Sequence, residues 1–257
     1  MPYLRVQDEA LFYQERGSGP LALFLHGFAL DHTLWLNQLT TLAPLRRCVA
    51  IDLRGFGRSG TGLDPGATMS HHIDDVIDAV AFLGAETADL VGLSLGAHLA
   101  RDVASRRPDM VRSLALLGIM SREEYVFPAT RSAELLSLTK DELALRYATP
   151  MLSPDPPVAR LARVMAMAGE LNWSILYPPV RQAPSEHDEV IDFPRGLLFM
   201  TGADDRITPP DAVSRLAAKH PKAVLRIVPD AGHLVPIEQP AAVSDAVAGL
   251  WSGSATV

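Results

Sequence analysis

The sequence predicts an α/β fold: a mostly parallel sheet with helices on both faces. Three observations predict it. Short apolar runs of strand length alternate with segments of helical periodicity. Some of those runs are apolar throughout, which marks strands buried on both faces. The alternation is interrupted once, by a helical insertion rich in proline, and then resumes. Strands alternating with helices bury their apolar faces best as a parallel sheet with crossover helices. With 257 residues, 48% of them hydrophobic and 21% charged, the chain has enough apolar material for a sizeable core.

Taken in order, Tyr3–Gln7 and Leu11–Glu15 read as a hairpin joined at Asp8-Glu9, and Leu21–Leu25 reads as a strand buried on both sides. A helical stretch from Thr33 to Leu42 follows, then strand Cys48–Ile51, helix Ser70–Leu83, strand Asp89–Leu93, helix Leu95–Arg106 and strand Ser113–Ile119. The pattern returns with strand Gly196–Thr201, helix Pro210–His220, strand Val224–Val228 and helix Ala241–Trp251. Between 120 and 193, Ser132–Tyr147 and Pro157–Leu171 are helical in period, and prolines such as Pro150, Pro154 and Pro156 read as breaks. This segment is rich in Leu and Met and contains Trp173, so it reads as a helical insertion and not as a linker. Residues 1–119 and 194–257 then form the core domain.

The formal net charge of −7 argues against nucleic acid or an anionic membrane as the main partner and leaves a small molecule as the expected one. No apolar stretch reaches the length of a membrane span. The N-terminal residues Met1 to Val6 enter a strand pattern directly, without the basic and apolar regions of a signal peptide. Cys48 is the sole cysteine and lies in an apolar run, so no internal disulfide is possible and a buried hydrophobe is its expected role. Together these features lead to the expectation of a cytoplasmic setting.

The strongest local signal is Gly92-Leu93-Ser94-Leu95-Gly96, a serine flanked by glycines between a predicted strand and a predicted helix. This is the pattern of a nucleophile elbow, a strand-to-helix turn that exposes the hydroxyl. By chance it arises on the order of 0.1 times in a chain of this length. The strand-then-helix setting sharpens it. A serine hydroxyl is a poor nucleophile at neutral pH and needs a base. His233, in Asp230-Ala231-Gly232-His233-Leu234 after strand Val224–Val228, stands where such a base belongs. The other histidines fit less well: His71 and His72 read as solvated surface, His187 and His220 lie in polar surroundings, and His98 reads as packed.

The base needs a carboxylate to fix its tautomer and stabilise its cation. Gly202-Ala203-Asp204-Asp205-Arg206 follows a strand and offers two. Position within the turn favours Asp205, and Asp204 then becomes a turn former or helix cap. The tetrahedral oxyanion needs donors. The Leu95 N–H at the helix start is one candidate. The Phe28 N–H in the loop His26-Gly27-Phe28 is the other, with His26 bracing that loop.

These residues resemble the α/β-hydrolase superfamily along nearly the whole chain. His26-Gly27 looks like the family's oxyanion loop, and Asp52-Leu53-Arg54-Gly55-Phe56-Gly57-Arg58-Ser59 like its structural Asp-x-Arg-Gly-x-Gly-x-Ser segment. Gly202 to Pro209 resembles the acid turn, where the aspartate stands three after the glycine, at Asp205. Gly232-His233 with Glu238 and Pro240 resembles the histidine loop. The resemblance implies an α/β-hydrolase fold, with 120–193 as a helical cap over the site. Enol-lactonases, aryl esterases, cofactor-free perhydrolases and C–C bond hydrolases are similar proteins; Ser94 speaks against the epoxide hydrolases and dehalogenases, which use an aspartate.

The expected reaction is cleavage of a small, largely apolar ester or lactone through an acyl-enzyme. The alternative is a perhydrolase, C–C hydrolase or lyase on the same scaffold. Met120, Tyr125, Trp173, Leu234 and Val235 are the candidate pocket residues. Arg122, Arg131, Arg160, Arg163 and Arg181 are candidates for a substrate carboxylate, although solvated surface charge is the simpler role. No metal and no organic cofactor is expected.

Overall fold

The computed structural model describes residues 2–7, 9–59, 68–121, 124, 139–169, 193 and 196–253. Its strands are β1 (Tyr3–Val6), β2 (Glu9–Arg16), β3 (Leu21–Leu25), β4 (Arg47–Ile51), β5 (Ala88–Leu93), β6 (Val111–Leu117), β7 (Gly196–Gly202) and β8 (Val224–Val228). They form one sheet in the order β1-β2-β4-β3-β5-β6-β7-β8. The β1–β2 and β2–β4 pairs are antiparallel, and every pair from β4 to β8 is parallel. The helices are α1 (Leu36–Leu42), α2 (Met69–Phe82), α3 (Leu95–Arg106), α4 (Lys140–Met151), α5 (Val158–Gly169), α6 (Pro210–Ala218), α7 (Val235–Glu238) and α8 (Pro240–Ser252). Among the described residues, none is long and apolar enough to cross a membrane.

The period of two along each strand builds two apolar layers. Leu21, Leu23 and Leu25 of β3 face one layer with α2, α3 and α6, while Ala22 and Phe24 face the other with α1 and α8. Strands β5, β6 and β7 divide the same way, which is why their sequences are apolar at nearly every position. The strand order also sets the location of a crevice. From β3 the chain moves out to β4, then returns to β5 on the other side of β3. The connections leaving the C-terminal ends of β3 and β5 therefore diverge, and ligands bind at such a switch point in open parallel sheets.

Several local expectations are corrected. The stretch read as one helix from Thr33 is a 3₁₀ turn, His32–Trp35, followed by α1; Asp31 caps it by accepting the Thr33 N–H. Pro150 does not break a helix. It sits one residue before the end of α4, where the missing N–H removes a single bond from the last turn. Thr139 and Glu142 start α4 as a reciprocal capping box. The N-terminal part of the predicted helix, 132–138, lies outside the described residues.

His72 is also corrected. His71 is exposed and completes the capping of α2, but His72 is 1% exposed. Two adjacent helical residues lie about 100° apart, so one can face solvent while the other faces the sheet. Burial first, then the nearby Arg54 charge, lowers the His72 pKa to about 4. Burial lowers His26 as well. The unfolded chain takes up these protons near 6.5, so it binds more protons than the fold between that pH and 4. Stability therefore falls as pH drops through this window, by about 3 kcal/mol for His72 alone. Thermal unfolding at pH 7, 5.5 and 4 checks this. The His72→Gln variant should lose much of the slope, and an unchanged slope would assign the effect elsewhere.

Candidate active site

Ser94 occupies the turn between β5 and α3, with φ 52° and ψ −112°. A non-glycine residue with positive φ is strained by roughly 1–3 kcal/mol and persists only where its surroundings hold it. Here the Ser94 N–H donates to Leu117 O at the end of β6, and its carbonyl accepts the His98 N–H. The flanking glycines let backbone pass close to backbone. A Cβ on Gly92 would lie 2.2 Å from Gly96 O, and one on Gly96 would lie 2.1 Å from Leu25 O. Leu95 opens α3, so its N–H is one of the four that a helix start leaves without an intrahelical partner.

The loop after β3 lies beside this turn: a Cβ on Gly27 would be 3.5 Å from the Ser94 Cβ. His26 is fully buried and braces the loop. Its Nε2 accepts the Leu53 N–H at 2.9 Å, which leaves Nδ1–H to donate to Gly27 O at 2.7 Å. Only the neutral ring can make both bonds, in keeping with its lowered pKa. Phe28 is half-buried, its ring edge-on to Phe56.

The Asp52-to-Ser59 segment braces from the other side. Asp52 accepts the His32 N–H and Nδ1 on one oxygen and the Arg58 N–H on the other. Arg54 is forked onto Asp75. Asp31, His32 and Asp52 bring three ligand-type atoms within 4.8 Å of one another. Their own hydrogen bonds account for the grouping, since Asp31 also holds the Thr33 N–H and hydroxyl.

On the far side of β6, Asp205 and His233 meet. Their side chains are wholly buried, with Oδ2 2.8 Å from Nδ1. Asp204 is exposed and instead donates its N–H to Ala231 O, so it shapes the turn. Burial alone would raise the Asp205 carboxyl. The facing His233, by charge and by hydrogen bond, and the Thr208 donors outweigh it and hold the pKa down to about 2. Asp205 is therefore ionised at any working pH. Among the described residues the buried His233 Nε2 has no hydrogen-bond partner, and no bond joins it to the Ser94 hydroxyl. The two are brought together by the end of β6: Leu117 O holds Ser94, and the next residue, Gly118, lies under the His233 ring.

Three residues in this arrangement were not singled out as site residues from the sequence. Gly118 has φ +54°, and a Cβ there would lie 2.7 Å from His233 Cε1 and 2.9 Å from Nδ1. An isolated glycine in a strand pattern is the available signal for such an approach. Thr208 donates its hydroxyl to Asp205 Oδ2 at 2.6 Å. Glu238 splits its carboxylate between the Gly232 N–H and the Ser153 N–H and hydroxyl, tying the histidine loop to the turn after α4.

Of the candidate pocket residues, Met120 is buried near the end of β6. Leu234 and Val235 are fully buried in the apolar layer with Trp35, Met151 and Leu152. Tyr125 and Trp173 lie outside the described residues, as do Arg122, Arg131 and Arg181. Arg163 donates to Thr33 O, and Arg160 stands 3.8 Å from Glu238, so both face the core's own groups.

A serine on a strained strand-to-helix turn, beside a buried carboxylate–imidazole pair at the switch point of a parallel sheet, defines the class: a hydrolase-type α/β protein. The chain belongs to the Alpha/beta hydrolase family, whose profile matches residues 22–246. It is similar to the 2-hydroxymuconate semialdehyde hydrolase of Pseudomonas putida, 29% identical over 239 residues, covering 87% of this chain and 84% of that one. Its fold matches a thermophilic esterase from Thermogutta terrifontis (TM-score 0.83, 24% identity, 100% of both chains). It also matches the enol-lactonase from Burkholderia xenovorans LB400 (TM-score 0.84, 22% identity, 98% of this chain and 100% of that one).

Proposed function

We propose that this hydrolase cleaves a small, largely apolar carboxylic ester or lactone through an acyl-enzyme. The observation that carries the reading is the buried Asp205–His233 pair, its Nε2 left without a partner, beside a serine held at positive φ. Ser94 Oγ attacks the carbonyl carbon as its proton passes to His233 Nε2. The Phe28 and Leu95 N–H groups receive the oxyanion. Nε2–H then protonates the leaving alkoxide, and the C–O bond breaks. Water, losing a proton to the same nitrogen, adds to the acyl-enzyme; the bond from the acyl carbon to Oγ then breaks as Nε2–H returns its proton to Oγ, releasing the acid and free Ser94. Asp205 holds the ring in the Nδ1–H tautomer throughout. The proposed partner is a small molecule, and none of these steps draws on a metal or organic cofactor.

The reading is tested by hydrolysis of p-nitrophenyl esters of increasing acyl length, together with simple lactones. Turnover should favour short to medium chains, and the profile sizes the pocket. A folded protein inert on the whole series would remove the ester reading. Likeness to 2-hydroxymuconate semialdehyde hydrolase over most of the chain favours one second reading, hydrolysis of a C–C bond next to a carbonyl. Loss of absorbance by that semialdehyde, faster than any ester is turned over, would select it.

A further inference from the structure

We propose that the Thr208 hydroxyl is a positioning group for the Asp205–His233 pair, clamping the carboxylate and setting how strongly it draws the Nδ1 proton. The proposal rests on the serine-hydrolase reading above. Asp205 Oδ1 accepts the Ile207 and Thr208 N–H groups, each at 2.8 Å. Oδ2 accepts the Thr208 hydroxyl at 2.6 Å, the Thr201 hydroxyl at 2.9 Å and His233 Nδ1–H at 2.8 Å. A carboxylate offers about four lone-pair positions, so this one is saturated.

Thr208 holds the deciding place among these donors, because its oxygen also stands 3.2 Å from His233 Nδ1. A hydroxyl has one proton. The 2.6 Å bond to a charged acceptor claims it, which leaves the oxygen's lone pairs beside Nδ1–H. The two contacts push His233 in opposite directions. Donation to Oδ2 satisfies the carboxylate and weakens its hold on the imidazolium; the lone pair facing Nδ1 strengthens that hold. The shorter, charge-assisted contact is the stronger of the two. The net effect of the hydroxyl is thus to temper the carboxylate's pull on the Nδ1 proton and to hold Oδ2 in line with Nδ1. Thr208 is 2% exposed and β-branched, so its rotamer is fixed before substrate arrives.

Among the described residues, Asp205 is the charged side chain bonded to His233. The Gly118 turn beneath the ring carries no titratable group, and Glu238 on α7 spends its oxygens on Gly232 and Ser153.

The test is the pH profile of kcat/KM for p-nitrophenyl butyrate in Thr208→Val, which keeps the shape and removes the hydroxyl. Its acid limb should move up by about half a pH unit and kcat should fall roughly tenfold, with KM within about twofold. Thr208→Ser should stay near wild type in both. Thr201→Val should move the limb the same way by less, because its bond is longer and shared with Thr208 O at 3.3 Å. It also carries the test should Thr208→Val not fold. NMR titration of the His233 Cε1–H, assigned by its loss in His233→Gln, reads the same shift without turnover. A shifted titration in a protein inert on esters would uphold the clamp while sinking the ester reading. An unmoved titration in folded Thr208→Val, or equal losses in Thr208→Val and Thr208→Ser, would overturn the proposal.

Discussion

Ser94→Ala is expected to lower kcat/KM on any ester the protein cleaves by at least about 10⁴-fold while leaving the fold intact. The alanine keeps the Cβ and the φ of 52°, so the turn and its bond to Leu117 O persist. What is lost is the atom proposed to form the covalent bond. The proposed oxyanion donors, the Phe28 and Leu95 N–H groups, remain, and would account for any residual rate over water. Ser94→Gly separates strain from chemistry. It should be equally inactive but more stable, because glycine adopts this conformation freely. Relief of roughly 1–3 kcal/mol of strain outweighs a loss of up to about 1 kcal/mol from greater freedom of the unfolded chain. The net gain of about 1 kcal/mol corresponds to a Tm rise of roughly 2–4 °C in a chain of this size. Ester turnover and thermal unfolding of the three proteins settle both points. An alanine variant within about a hundredfold of wild type would remove Ser94 from the nucleophile role.

That trade between strain and chemistry also explains which parts of the molecule were legible in the sequence. The sheet could be read because both faces of each central strand are buried, so β3, β5, β6 and β7 are apolar at nearly every position. The elbow could be read because close backbone approach at Gly92 and Gly96 excludes a side chain, and that exclusion is written as two glycines around a serine. Thr208 was harder to see. Its hydroxyl reaches Asp205 only because the turn folds back on itself, and a threonine in a turn is otherwise unremarked. His72 was misread because its neighbours are polar, whereas its burial depends on which way α2 faces the sheet. Pro150 was misread because a proline's cost in a helix depends on how many turns follow it, and here almost none do. Substrate preference depends on how side chains from distant segments meet over Ser94, a tertiary property that no local pattern encodes.

Gly118→Ala is expected to abolish most activity without substituting any of the groups proposed to do the chemistry. The added Cβ would lie 2.7 Å from His233 Cε1 and 2.9 Å from Nδ1, inside van der Waals contact. Residue 118 cannot retreat easily, since its N–H donates to Met200 O and its neighbour Leu117 holds Ser94. The imidazole must therefore move, and it can move only by lengthening the 2.8 Å bond to Asp205 or by rotating Nε2 away from the serine. A displacement of about 1 Å at a base costs roughly a hundredfold in rate, so kcat should fall by about that factor with KM little changed. Positive φ alone adds about 1–2 kcal/mol of destabilisation for a side chain at this position. Gly84→Ala supplies the control: Gly84 has φ +73° and, among the described residues, nothing within 4 Å of its would-be Cβ. That variant should show a similar drop in Tm and full activity. If both alanines lost activity alike, general destabilisation would be the cause. If Gly118→Ala kept its rate, His233 as seated here would not be the base.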